Sequence, residues 1–176
     1  MVKLIACVGP NGELGLNNKL VYNNKQDMKF FKQQTTGNVI IMGKNTFRSL
    51  GSKPLPNRIN IVLTDEPEFV PSVLDFNKPL ADVIDIAKAM FPQYDIYIIG
   101  GAFVYNQAIE QELADELLIT RMFDEVDADT FIDAELMLNK YNIITMIDLI
   151  SDDNNEDIGA ILRMKRSDWL MSWKLY

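Results

Sequence analysis

Five short, unbroken apolar runs most restrict what this chain can fold into. They are Leu4-Ile5-Ala6-Cys7-Val8, Val39-Ile40-Ile41-Met42, the core of residues 58–64, Ile96-Tyr97-Ile98-Ile99 and Leu117-Leu118-Ile119. Each is too short for a buried helix. Each is continuous where a half-exposed strand would alternate, which is the pattern of strands covered on both faces. Between them lie stretches with helical spacing and glycine or proline punctuation. Strands alternating with helices imply βαβ units and a largely parallel sheet.

The helices are expected at residues 26–35, closed by Gly37, at 45–50, ended by Gly51, and at 79–91 and 102–112. In the third, Leu80, Val83, Ile84, Ala87 and Met90 or Phe91 share one face, and Pro79 suits a first helical turn. A polar, Asn-rich loop follows the first strand, and residues 65–72 form an acidic, proline-containing loop. A brief strand is expected at 73–76, further strands at 116–120 and 143–150, and a solvated acidic tip at 151–157. Trp169, Met171, Trp173 and Leu175 alternate as a final strand would. Residues 161–165 fit either a strand or a long loop. The expected fold class is therefore α/β and three-layered. Its central, mostly parallel mixed sheet has about eight strands and an antiparallel C-terminal edge, flanked by about four helices. Residues 1–176 form one undivided domain.

Composition removes several classes of function. The net charge is −8, which argues against a general nucleic-acid binder and leaves no polybasic patch for a membrane surface. No apolar stretch has bilayer length and residues 1–5 begin a strand, so a cytoplasmic protein is expected. The single cysteine, Cys7, forbids an intrachain disulfide and reads as a small buried thiol. There is no Cys/His cluster of zinc spacing and no metal site is expected. The chain has no histidine, which excludes a Ser-His-Asp triad and any His acid or base. Proton chemistry falls to a carboxylate, Lys, Tyr, water or the ligand.

Four places have chemical potential. Gly100-Gly101 lies between a strand and a helix, where a backbone can approach a phosphate and a helix N-terminus offers free N–H groups; a plain tight turn fits equally. Gly43-Lys44-Asn45-Thr46 is a second such turn, or else simple capping by Asn45 or Thr46. Together they could hold two parts of a long phosphorylated ligand at one sheet edge. Asp27, in a first helical turn, either complements the helix dipole or faces inward beside Met28 and Phe31. In the second case burial raises its pKa and it can pair with a cationic or amidine-like ring edge. Arg58 could grip a ligand carboxylate or sit idle on the surface.

Taken in order, these pieces resemble the dihydrofolate reductase family. The resemblance rests on Leu4-Ile5-Ala6 followed by Gly15, on 27–32, on 41–51 (Ile-Met-Gly-Lys-Asn-Thr-Phe-Arg-Ser-Leu-Gly), on 54–60, on 99–105, and on Thr120 with Asp129-Thr130-Phe131. It implies hydride transfer from a nicotinamide cofactor to dihydrofolate, giving tetrahydrofolate for one-carbon metabolism and thymidylate and purine synthesis. It also implies a monomer open to inhibition by antifolates. Asp27 would bind the pterin with Thr120 acting through a water, and Tyr22 would stand beside this catalytic pair. The carbonyls of Ile5 and Ile99 would take the pterin amino group. Ala6, Phe31, Leu50 and Leu55 would line the ring slot, and Arg58 would meet the glutamate tail. The nicotinamide would lie near Ala6, Cys7, Leu14 and Thr46. Gly15, Asn18, Gly43, Lys44, Asn45, Thr64, Gly100, Gly101, Ala102, Phe103, Val104 and Tyr105 would complete the cofactor site, with a cis Gly100–Gly101 peptide. An adenosine-binding subdomain is implied over roughly residues 38–90.

The chain departs from the family pattern in places. Tyr22 replaces the usual bacterial Trp and Val21 the usual Pro. Lys44 replaces a common Arg, keeping the charge but losing the fork. Phe103 stands at an often basic position. Asp65 lies where a phosphate on the adenosine ribose is often bound, so NADPH is favoured over NADH by less than the family norm. Two other assignments compete: a riboflavin-pathway pyrimidine reductase, which would not need Asp27, and a folate- or nucleotide-binding structural protein that has lost turnover.

Overall fold

A computed structural model describes residues 1–66, 70–150 and 156–167, with backbone alone at 150. Eight strands form one mixed sheet: β1 (Val2–Val8), β4 (Val39–Gly43), β5 (Ile59–Leu63), β6 (Val73–Phe76), β7 (Ile96–Ile98), β8 (Glu116–Met122), β10 (Tyr141–Ile150) and β11 (Asp157–Arg166). Their spatial order is β10-β11-β8-β1-β7-β4-β5-β6. The six from β8 to β6 are parallel, whereas β11 runs antiparallel to β8 and β10 antiparallel to β11. Residues 161–165 thus resolve as strand. The acidic tip and the expected final strand at 169–175 lie outside the described residues.

Side-chain alternation along the central strands feeds two cores. Leu4, Ile41, Ile61, Ile98 and Ile119 face α3 (Leu80–Met90), α4 (Ala102–Glu110) and α5 (Ala134–Lys140). Ile5, Ile40, Met42, Val62, Tyr97 and Ile99 face the other way, with Phe47 of α2 (Lys44–Ser49) and the half-buried Phe30 and Phe31 of α1 (Lys25–Thr35). Two-sided burial is why these runs are continuously apolar. The expected three layers are present, with five helices among the described residues where about four are expected. The extra one is α5, hidden in a polar stretch but started by Asp133, whose carboxylate accepts from the Leu136 N–H.

The Asn-rich loop is not wholly irregular. Strands β2 (Glu13–Leu16) and β3 (Lys19–Leu20) form a hairpin closed by Asn17 and Asn18, both at positive φ, as the tightest hairpin turns require. β9 (Thr130–Phe131) pairs with β2. Asp129 fastens the join: its carboxylate accepts from the Asn17 N–H at 2.8 Å, and its own N–H donates to the Gly15 carbonyl at 2.9 Å.

Candidate active site

A cleft of about 600 Å³ runs along the carboxyl ends of β4, β5, β6 and β7, where open α/β sheets characteristically bind ligands. Leu14, Gly15, Asn18, Gly43, Lys44, Asn45, Thr46, Thr64, Gly101, Ala102, Phe103, Val104 and Tyr105 all line it. Three helices begin there. The N-caps of α2, α3 and α4 are Gly43, Pro79 and Gly101, and none makes a side-chain capping bond. The alternative of capping by Asn45 or Thr46 is therefore excluded. In contrast, the first residues of α1 and α5 do not line the cleft, and these helices are capped by the side chains of Asn24 and Asp133. The helices that open into the cleft are the ones whose first N–H groups remain available to a ligand.

The two glycine turns abut. The Gly43 N–H donates to the Gly100 carbonyl at 2.7 Å, and the Gly100–Gly101 peptide is cis. A Cβ at Gly43 would approach Val104 Cγ2 to 3.2 Å, and one at Gly101 would approach Thr46 Oγ1 to 3.1 Å. These glycines keep the cradle between the turns lined by backbone, and so it suits the phosphates of a dinucleotide. Phe103 stands at the rim, 81% exposed. At the far end Lys44 Nζ lies 2.8 Å from Asp65 and 3.3 Å from Glu66, and Arg48 lies 3.2 Å from Glu66.

Asp27 lies beside the other end. Asn24 caps α1 by accepting from the N–H groups of Gln26 and Asp27, which fixes the first turn and aims the carboxylate inward. Burial raises the Asp27 pKa, opposed by a hydrogen bond with the Thr120 side chain. Thr120 pairs in register with Cys7 on β1. The Asp27 charge helps to raise the Cys7 thiol and Tyr105 phenol, behind the larger effect of their own burial, so all three approach one another. No cation contributes to the Asp27 shift, leaving the carboxylate without a counter-ion among the described residues. That is an arrangement for a cationic or hydrogen-donating ligand edge. The expected neighbour Met28 instead points outward, 48% exposed.

Ile5, Ile99, Phe31 and Leu55 form the apolar wall on the α1 side of the sheet, and Leu50 ends α2 as a partly exposed C-cap. The Ala6 side chain belongs to the opposite core, so only its backbone faces this region. The Ile5 carbonyl already accepts from the buried Tyr105 hydroxyl at 2.7 Å. Arg58 is half-buried, its guanidinium 5.9 Å from the Phe31 ring centroid. It donates to Thr35 Oγ1 at 2.9 Å and to the Pro56 carbonyl at 2.7 Å, and it makes no ion pair among the described residues. The Tyr22 hydroxyl donates to the Asp124 carbonyl at 2.6 Å, and burial together with the nearby Glu13 pushes its pKa to about 12.

Two positioning residues escape motif reading. Thr35 is buried and holds Arg58, as above. Asn60 is buried within β5, accepts from the Leu55 N–H at 2.9 Å and donates to the Leu55 and Arg58 carbonyls, setting the loop that presents both. The available signal was an amide inside the apolar run Ile59-Asn60-Ile61, which must find partners when buried.

Among solved structures, a dihydrofolate reductase from Enterococcus faecalis complexed with NADP(H) superposes with a TM-score of 0.82 at 27% identity, covering 96% of this chain and 97% of that one. Dihydrofolate reductases of Ureaplasma parvum and Bacillus subtilis are 37% and 36% identical to it, over 81% and 73% of this chain and 87% and 73% of their own lengths. A bifunctional dihydrofolate reductase-thymidylate synthase of Paramecium tetraurelia is 30% identical over 72% of the chain, which spans 27% of that longer protein. Residues 1–166 match the family described as dihydrofolate reductase, and the chain belongs to that family.

Proposed function

We propose that this protein reduces dihydrofolate to tetrahydrofolate with NADPH, NADH being the poorer donor, as a cytoplasmic monomer open to antifolate inhibition. The observation that carries this reading is the desolvated Asp27 carboxylate without a counter-ion, placed where the phosphate-ready cleft meets the apolar wall of Phe31 and Leu55. Reduced nicotinamide supplies the hydride. The chain's own residues do the rest. The free N–H groups after Gly43 and Gly101, with Lys44, hold the phosphates. Tyr105, Cys7, Leu14 and Thr46 bound the space for the nicotinamide. Residues 38–90 form the part that receives adenosine. Asp27 accepts two hydrogen bonds from the pterin edge and favours a proton on the ring nitrogen next to the carbon that takes the hydride. Solvent water delivers that proton, because Asp27 as an ion stabilises the protonated ring better than it donates. Thr120 orients the carboxylate. Arg58, held by Thr35, meets the glutamate carboxylate. The β2–β3 hairpin covers the nicotinamide end and excludes water.

The direct test is a spectrophotometric assay with dihydrofolate, run in parallel with NADPH and NADH. Turnover with both substrates present, lost in Asp27→Asn, is expected. Absence of dihydrofolate turnover, or turnover of a ribosylaminopyrimidine instead, contradicts the assignment.

A further inference from the structure

The two edges of the eight-stranded sheet differ. β6 is four residues long and half-buried throughout. β10 is ten residues long, and among the described residues its outer side has no partner strand. Tyr141 and Leu149 are buried and anchor it, but every residue from 143 to 148 is exposed. Four of these are large and apolar: Ile143, Ile144, Met146 and Ile147, the last two 62% and 63% exposed. An open edge of this length is a template for another strand, and proteins commonly blunt one with lysine or proline. β10 has neither; its register shifts and the single charge of Asp148 blunt it only in part.

The path of the chain names the occupant. β11 ends at Arg166, paired with Tyr141 at the start of β10, and the match to the family also ends at residue 166. The chain thus leaves the sheet one strand in from the open edge, level with the start of the exposed stretch. The residues that follow include Trp169, Met171, Trp173 and Leu175, alternating with Leu170, Ser172 and Lys174. Residues 168–176 lie outside the described ones, but their extended reach is about 30 Å. Crossing β10 takes about 10 Å, and running from Asn142 to Ile147 takes about 17 Å. α5 joins Tyr141 from the face that carries Leu4, which directs the crossing to the opposite face.

We propose that residues 169–175 dock as a ninth strand on the open edge of β10 in the same chain, parallel to it, with Trp169, Met171, Trp173 and Leu175 covering the exposed apolar stretch from Ile143 to Ile147. Burial of these side chains drives the docking, and the outward N–H and C=O groups of β10 gain partners. The segment is tethered beside its site, so it outcompetes a second copy of the chain. It closes the edge to other molecules and keeps the protein monomeric.

Both tryptophans of the chain lie in this segment, so selectively excited tryptophan fluorescence reads its surroundings alone. In the full chain, emission should be blue-shifted from that of the unfolded protein and shielded from acrylamide. Ile147→Lys and Met146→Lys should each shift it to the red and raise acrylamide quenching severalfold, with circular dichroism unchanged. Met90→Lys, an equally exposed apolar position at the end of α3, should do neither. Amide exchange on the wild type needs no variant: the β10 N–H groups that point away from β11 should exchange at least about tenfold more slowly than those of a free edge. Sedimentation velocity over a range of concentrations should show monomer. Solvent-exposed emission in the folded wild type, shielded emission indifferent to both β10 variants, or unprotected outward N–H groups each overturn the proposal. So does a dimer whose emission moves to the red on dilution, which gives the edge to a second copy instead.

Discussion

The two halves of the candidate site are built from different materials. The cleft proposed for the cofactor is made mainly of backbone: three helix N-termini without side-chain caps, and two glycine turns packed so closely that a methyl group would crowd Val104 or Thr46. The side proposed for the substrate is made of side chains: Asp27 and Phe31 on a helix whose start is capped, and Leu55 and Arg58 on a loop tied by Asn60 and Thr35. Helix ends left open bind phosphates. A helix end closed by Asn24 instead spends its first N–H groups on holding one carboxylate still. The first half should therefore be sensitive to added atoms, and the second to removed functional groups.

The largest effect should come from Asp27→Asn. Single-turnover hydride transfer at neutral pH should fall by roughly two to three orders of magnitude, with partial recovery in acid where solvent protonates the substrate. An unaltered rate would remove Asp27 from the chemistry. Arg58→Leu should weaken folate binding by about ten- to a hundredfold with little change in dinucleotide affinity, as for a lost charge-assisted pair. Equal losses for both ligands would show that Arg58 only holds the fold. Gly43→Ala should raise the dinucleotide dissociation constant about tenfold while leaving folate binding within about threefold; a thermal scan separates this from unfolding. Thr35→Val should cost Arg58 its orientation and weaken folate binding only severalfold.

Asp27 also sets a smaller effect on stability. Its folded pKa lies above the unfolded value, so the folded state binds more protons between the two, and stability falls as pH rises through that window. Asp27→Asn should therefore melt higher than wild type near neutrality, by roughly 2–4 °C per kcal/mol relieved. The difference should vanish below the unfolded carboxylate range. A lower melting temperature for the variant at neutral pH would mean that the carboxylate is well compensated.

The strand-to-helix turns of the half proposed for the cofactor are legible in the sequence because glycines and turn-to-helix junctions leave local marks. Gly43 to Thr46 and Gly100 to Tyr105 sit where the spacing put them, and the strands followed from runs such as Val39 to Met42. The substrate half was less readable. Asp27 sits in a first turn, where most acids merely face the dipole, and only tertiary burial distinguishes it. Met28 faces outward, not with Phe31, because each residue rotates a helix position by about 100°. Thr35 and Asn60 act through partners remote in the chain or buried beneath a loop. The anchoring of the Asn-rich loop by Asp129, through two hydrogen bonds, and the capping of helix α5 by Asp133, through one, depend on contacts that no periodicity announces.

The division between the halves is tested most directly by titrating NADPH and a 2,4-diaminopteridine separately into wild type, Asp27→Asn and Gly43→Ala by calorimetry. Asp27→Asn should lose at least about a hundredfold in pteridine affinity and keep its NADPH affinity, while Gly43→Ala should do the reverse on a smaller scale. Parallel losses of both ligands in either variant would contradict the division.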